Sequence, residues 1–482
     1  MTTVLHPDRV LCGLAANPAL PSDLVDRLIA LATTTADPSL AEHLAYELTD
    51  RDDLGRPHLL TLAAGVEDAA TWLAHDGRLT AADVDPATRP EAALALLARG
   101  EGPPEWARRF AADPDPRRRE RLAACPDLPE DVLRRLAQDP DPEVIAELAL
   151  TAPPALATEL ARHPHSAVRR AVAANDRTPP PVLTALLTAD HGTAQHETAA
   201  AVLAHPATPA TAAAPFADHP ATPLRAELAA RTDLPAELYL RLAHDPEPPV
   251  RRALAENPAI GEEVIRTLAA DEDGDIARGL VDHPRVPLDV LTRLAARGRA
   301  WPRLLPRIAS ASPAEVAELA ASAEPAVRML VAERRDLPPA IRDALAADPD
   351  AKVLKAIAPH PGLPEPLLRA MLTRHAVRVA ARIATNPDAS PALLTDLAHH
   401  RPPVSKALRA IAKHPAAPGP ALVACLTDNE ASPIAATHPA LPPEVLTDLI
   451  GGDLPHLAEA AATNPSLPPE TARALVTRLA PW

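Results

Sequence analysis

The sequence predicts an all-α solenoid of about eighteen tandem two-helix repeats, each 24–26 residues long and pairing a short helix with a second amphipathic α-helix. Three observations lead there. A breaker residue, usually followed by Pro, recurs along the chain. The apolar residues between breakers keep helical spacing. Ala and Leu supply most of the core, whereas aromatic residues are 2% and Gly is only 15 of 482 residues. Pro numbers 60, a density that marks disorder when it lacks a period. Here the prolines are regularly spaced, so they punctuate structure.

The stretch 250–272 (VRRALAENPAIGEEVIRTLAADE) shows the unit. Val250–Glu256 is a short apolar-periodic helix. Asn257-Pro258 ends it, because a residue before Pro is pushed out of the α region, and Asn tolerates the left-handed backbone common at helix ends. A second Pro three or four residues on starts the next helix, as at Pro129, Pro235 and Pro443, since the first helical turn does not need its N–H. A following acid (Glu130, Glu237, Glu444) favours the positive helix N-terminus. The pattern V/L-L-x-x-L-A then gives one buried face. The breaker is filled by Asn17, Cys125, Asn175, His205, Arg231, Asn257, His283, Arg334, His360, Asn386, His414, His438 and Asn464, with weaker matches near Thr49, His75, Arg99, Thr151 and Ser310. The intervals 231–257–283 and 334–360–386 are each 26 residues.

An acidic link (Asp139, Asp141, Asp245, Glu247) precedes the next repeat, and Arg169, Arg251, Arg328 and Arg378 follow Val in its first helix. Stacking would set these charges in rows: an inter-repeat charge ladder is expected, an anion-binding row being the competing reading.

The segments VRRAVAANDRTPPPVLTALL (168–187), VRRALAENPAIGEEVIRTLA (250–269) and VRVAARIATNPDASPALLTDLA (377–398) resemble the leucine-rich repeat variant family. They are also similar to HEAT repeats, whose unit is longer. The resemblance covers most of the chain and is clearest over 119–482. It implies α-helices alternating with short 3-10 helices in a right-handed superhelix, and an interaction scaffold with no reaction. Some relatives carry a cysteine cluster ahead of the repeats. Cys12 stands alone, so that feature does not transfer.

Residues 1–118 read as degenerate N-terminal repeats and a cap, with a soft boundary at Arg99–Pro104. Residues 119–467 are regular repeats, and 468–482 form a C-terminal cap, with Trp482 over the last apolar face. Residues 1–100 hold 15 acids and 7 bases, a net of −8. By contrast, six Arg (285, 293, 297, 299, 303, 307) face one acid over 284–312, and six Arg and two Lys face two acids over 366–415.

The overall net charge of −16 opposes general nucleic-acid or anionic-membrane binding. Cys12, Cys125 and Cys425 have neither metal-site nor disulfide-framework spacing, which fits buried thiols in a reducing cytosol. The run Val10–Ala16 is too short for a signal peptide, and none spans a membrane. Histidines at breaker positions substitute for Asn, and repeats ~8–10 Å apart do not bring two of them onto one zinc. No Gly-x-Ser-x-Gly or phosphate-cradling Gly loop occurs. No catalytic residue, metal or cofactor is therefore assigned.

The expectation is a cytoplasmic, monomeric, non-catalytic scaffold that binds a protein partner through an extended concave surface. Its candidate partner-binding residues are Arg293, Arg297, Arg299, Trp301, Arg303, Arg307, Arg374, Arg378 and Arg382. Two other classes are weighed: polyanion or nucleic-acid binding through the Arg-rich repeats of 284–415, and an enzyme on a HEAT-like scaffold, which would need acids and His clustered in one groove. The stretches lack base-stacking aromatics apart from Trp301, which disfavours single-strand recognition.

Overall fold

The computed structural model of the chain describes residues 6–188, 195–297 and 303–480. Among these residues the chain forms 35 α-helices and no strand. The helices stack neighbour to neighbour as tandem two-helix repeats, an α-solenoid. We call the helix before each breaker the A helix and the one after it the B helix. Both are α-helical in most repeats. The short helix that the resemblance makes 3-10 is so only locally, at Ala376–Arg378, while a second 3-10 turn, Ala214–Asp218, extends a B helix.

The repeat is built as its prolines dictate, with two differences. Pro129 and Pro235 sit just before their B helices, and only Pro443 occupies the first turn. Asn257 does not enter the left-handed region: it is extended, φ −77° and ψ 116°, because Pro258 forces it there. The same holds for Asn464 before Pro465, and Asn175 is likewise extended although Asp176 follows it. Asn serves at this position through its side-chain amide, as described below.

Two compact units result. Unit 1 is made principally of Met1–Leu79 with Ser312–Trp482, and unit 2 of Thr80–Arg299 with Leu305–Ala311. The division falls at 79/80 and 311/312, while the sequence suggested a soft boundary at Arg99–Pro104. In both units the A helices form the closely packed layer, as with Thr222–Ala230 on Pro248–Glu256 and Pro325–Ala332 on Ala351–Ile357. Ala at the contacts permits this close approach, and Leu and Val such as Leu228, Val250, Leu254 and Val353 fill the space to the B layer at 0% exposure. Each such side chain contributes roughly 1.5–3 kcal/mol by burial.

The first and last repeats of unit 1 pack on each other. Helix Pro7–Ala16 lies against Pro455–Thr463, and Ser22–Thr34 touches Pro469–Leu479. Pro469–Leu479 therefore packs on the first repeat. Trp482 lies outside the described residues. The approach is closest at Gly13, where an added Cβ would lie 2.3 Å from the Glu459 carbonyl oxygen and 2.9 Å from the Ala462 Cβ. Only Gly allows this spacing without a shift of backbone. Glu47, in the next repeat, is half-buried near this seam. Burial first, then Glu459 and Asp50, push its carboxyl above the usual range.

Candidate interaction surface

Most buried polar chemistry in the repeat is consumed by the fold. In most repeats the breaker side chain is a rung joining the repeat to the one before; Cys125 bonds its own repeat instead, and the Nε2 atoms of His283 and His360 have no hydrogen-bond partner among the described residues. Asn257 Nδ2 donates to the carbonyls of Ala229 (2.8 Å) and Arg231 (2.6 Å), while its Oδ1 accepts from the Ala259 N–H (2.9 Å). His does the same with two nitrogens: His414 Nε2 donates to the Asn386 carbonyl (2.9 Å), and its Nδ1 accepts from the Ala416 N–H (3.1 Å). Such a His is the neutral Nε2–H tautomer. Arg is the third solution. Arg231 reaches the carbonyls of Leu203 and Thr208 and is held by Asp233 two residues on, and the pattern Arg-x-Asp-Leu recurs at Arg51 and Arg334.

In unit 1 the rungs run from Asn386 through His414, His438 and Asn464 to Asn17, then on to Arg51 and Arg78. The weak breakers that the sequence suggests near Thr49 and His75 are thus corrected to Arg51 and Arg78. Neither is followed by Pro, which hides them from the motif.

A second ladder uses Arg and Asp 20 residues apart. Arg119–Asp139, Arg225–Asp245 and Arg328–Asp348 each make two bonds of 2.6–3.0 Å, and Arg251–Asp271 makes one of 2.6 Å. The Arg225 Nη1 also donates to the carbonyl of His219, and the Asp245 carboxylate accepts the Glu247 N–H. Burial alone would raise Asp245. The Arg225 guanidinium and that N–H more than offset it and hold the carboxyl below its ordinary range. The expected charge ladder is therefore present at Arg251 and Arg328, whereas Arg169 bonds the carbonyls of His163 and Pro164 and Arg378 is exposed with no ion pair among the described residues.

The candidate arginines fall in different settings. Arg293, Arg297 and Arg307 belong to unit 2; Arg303, Arg374, Arg378 and Arg382 belong to unit 1. Arg299 and Trp301 lie outside the described residues. Arg293 pairs with Asp289 on its own helix at 3.5 Å, and Arg303 and Arg307 are both partnered. Arg297, Arg374 and Arg382 reach back to carbonyls of the preceding repeat, at Ala269 (3.4 Å), Ala347 (3.0 Å) and Lys355 (2.9 Å). Arg378 is exposed.

The exposed cations that the fold does not use are ones the sequence left unplaced. All four lysines of the chain lie on two A helices of unit 1 or at their ends: Lys352 and Lys355 on Ala351–Ile357, Lys406 on Ser405–Ala412, and Lys413 just after it. All four are exposed, and none has an ion pair among the described residues. Aligning the chain on its rung residues would have revealed this row.

In unit 2 the B helices Glu130–Leu136, Pro154–Leu160 and Pro180–Thr188 splay apart, leaving neighbouring clefts of ≈ 490 and ≈ 470 Å³. The first is lined by Leu133, Ala137, Leu156 and Leu160, with Glu130, Arg134 and Glu159 also in its wall; Arg162 borders both. Exposed Tyr46 and half-buried Trp72 meet edge to face at 5.4 Å on the A layer of unit 1.

Cys12, Cys125 and Cys425 are buried and free. Burial pushes their thiols up to about 12, 11 and 12. Among the described residues no group of three or more His, Cys, Asp or Glu is placed to hold a metal, and no helix is long and apolar enough to cross a membrane.

No family model matches the chain, and no curated protein does. Among solved structures the chain is similar to a leucine-rich repeat variant, at 21% identity over 48% of this chain and 87% of that one, with a TM-score of 0.31. It is similar to Kap121p bound to Ste12p, at 13% identity over 96% of this chain and 57% of that one, TM-score 0.28. It is also similar to a chain of the Pds5–Scc1 complex, at 11% identity over 95% and 81%, TM-score 0.21. The chain spans little more than half the length of the Kap121p chain.

Proposed function

We propose that this protein is a non-catalytic scaffold that binds a protein partner along the exposed faces of its repeats. One observation carries the reading. Most of the buried amides, imidazoles and guanidinia are spent on rungs and ladders, whereas the A layer of unit 1 exposes lysines and Arg378 that make no ion pair among the described residues. Repeat stacks present such side chains at regular intervals on a continuous face, which suits recognition of an extended macromolecule.

The test is capture of a partner by the tagged full-length protein from its own cells, followed by reconstitution from purified components. A stoichiometric complex retained at physiological salt is the expected result. Failure of every captured protein to reconstitute would overturn the scaffold reading.

A further inference from the structure

We propose that Lys352, Arg378 and Lys406 form the docking row for an extended acidic polypeptide segment; this rests on the scaffold reading above. Each stands eight positions before the rung residue of its repeat: 352 before His360, 378 before Asn386, 406 before His414. They are therefore equivalent residues of three successive repeats, and all three are exposed. Lys355 and Arg409 repeat the arrangement five positions before the rung.

Acids do not answer this row from its own elements. Helices Ala351–Ile357, Ala380–Ile383 and Ser405–Ala412 and the turn Ala376–Arg378 contain no Asp or Glu. Asp350 is committed to the Lys352 N–H as a helix cap. Of the cations here only Arg409 has an ion pair among the described residues, with Glu430. The row is also bounded. The equivalent position is Ala326 on one side and Glu430 on the other, so the cationic stretch is three repeats long.

Those dimensions fit a peptide. Packed helices lie ~8–10 Å apart, and an extended or polyproline chain advances ~3.1–3.4 Å per residue. An acid at every third residue then meets one cation per repeat, and the threefold turn of polyproline II puts those acids on one side. Val377, 44% exposed beside Arg378, offers an apolar contact between them. A nucleic acid fits less well. The row carries no aromatic residue for stacking, and a phosphate backbone continuing along it runs onto Glu430.

The experiment uses the full chain and a fluorescein-labelled peptide of five Asp-Pro-Pro triplets, read by anisotropy. A Ser-Pro-Pro peptide of equal length and a single-stranded DNA of about 20 nucleotides run alongside. The proposal expects the Asp peptide to bind, the Ser peptide not to, and affinity to fall as NaCl rises from about 50 to 200 mM. R378E/K406E should weaken binding at least about tenfold, and K352Q/K406Q by less, with both variants melting as the parent does. No binding of the Asp peptide, equal binding by R378E/K406E, or tighter binding of the DNA would each overturn it. A reconstituted partner that binds R378E/K406E unchanged would remove this row and leave the scaffold reading standing.

Discussion

Asn17 donates its side-chain amide to the backbone carbonyl of Asn464 at 2.8 Å, across 447 positions of sequence. Asn464 makes the same bond to His438 at 2.9 Å, and Asn386 to His360 at 2.9 Å. The seam between the first and last repeats of unit 1 is thus built from the same rung as its interior.

Asn17→Ala should leave the Ala462 carbonyl buried without its donor and remove one of the two bonds to the Asn464 carbonyl, which keeps the Leu467 N–H, costing about 1–3 kcal/mol. Asn17→His should restore part of this, because His fills the rung elsewhere. Gly13→Val should also destabilise, through its clash with Glu459. Urea unfolding of the three variants checks the set. Parent-like midpoints for N17A and G13V would show that the seam contributes nothing.

In the second ladder, Arg225 and Asp245 side chains are 11% and 6% exposed. Arg225→Met should strand a buried carboxylate and cost roughly 3–5 kcal/mol, whereas the double change R225M/D245L should cost much less. Thermal unfolding of the two variants separates these outcomes.

The same pairs set an acid limit. Asp139, Asp245 and Asp271 have carboxyls lowered from 3.8 in the fold. Their stabilisation is present above that value and is lost as pH falls below it through the lowered folded values. Melting temperature should drop steeply below pH ~4, and D245N should lessen the steepness while lowering stability at pH 7.

A milder loss should begin earlier. Burial lowers His163, His219 and His283 from 6.5, so each favours the neutral form in the fold. Stability from these groups is complete above 6.5 and declines as pH falls below it toward their folded values. His283→Asn keeps a rung amide without a titrating group. It should flatten the slope of melting temperature against pH between about 5 and 6.5; an unchanged slope would exclude His283 as a contributor.

The three thiols should resist a maleimide in the native protein and react once it is unfolded, since the thiolate is the nucleophile and burial disfavours it. Mass spectrometry before and after urea treatment reads this directly, and rapid native labelling at Cys125 would contradict its burial.

The repeat was legible because Pro and apolar spacing are local signals, and the Arg–Asp ladder because its two residues recur at fixed places in the unit. The seam was hidden for two reasons. Arg51 and Arg78 do the work of Asn without a following Pro, and no local pattern announces a partner more than 440 positions away. Charge counting marked Arg297, Arg374 and Arg382 as available, yet composition does not reveal direction, and each bonds a carbonyl of the preceding repeat. Lys352 and Lys406 were visible as letters, and their equivalence appeared only in the frame of the rungs.

A solenoid ordinarily folds from contacts between neighbours and has no need of its distant end. The seam at Gly13 makes unit 1 different. At roughly 5–20 residues per second of synthesis, helix Pro7–Ala16 waits on the order of half a minute or more for Pro455–Thr463 to exist. Its apolar face, with Val10, Leu11 and Leu14 buried in the finished protein, lacks its final neighbour throughout that interval. A chain stalled or cut before residue 455 would keep that face open, so an incomplete product is marked for chaperones and proteases by its own first helix.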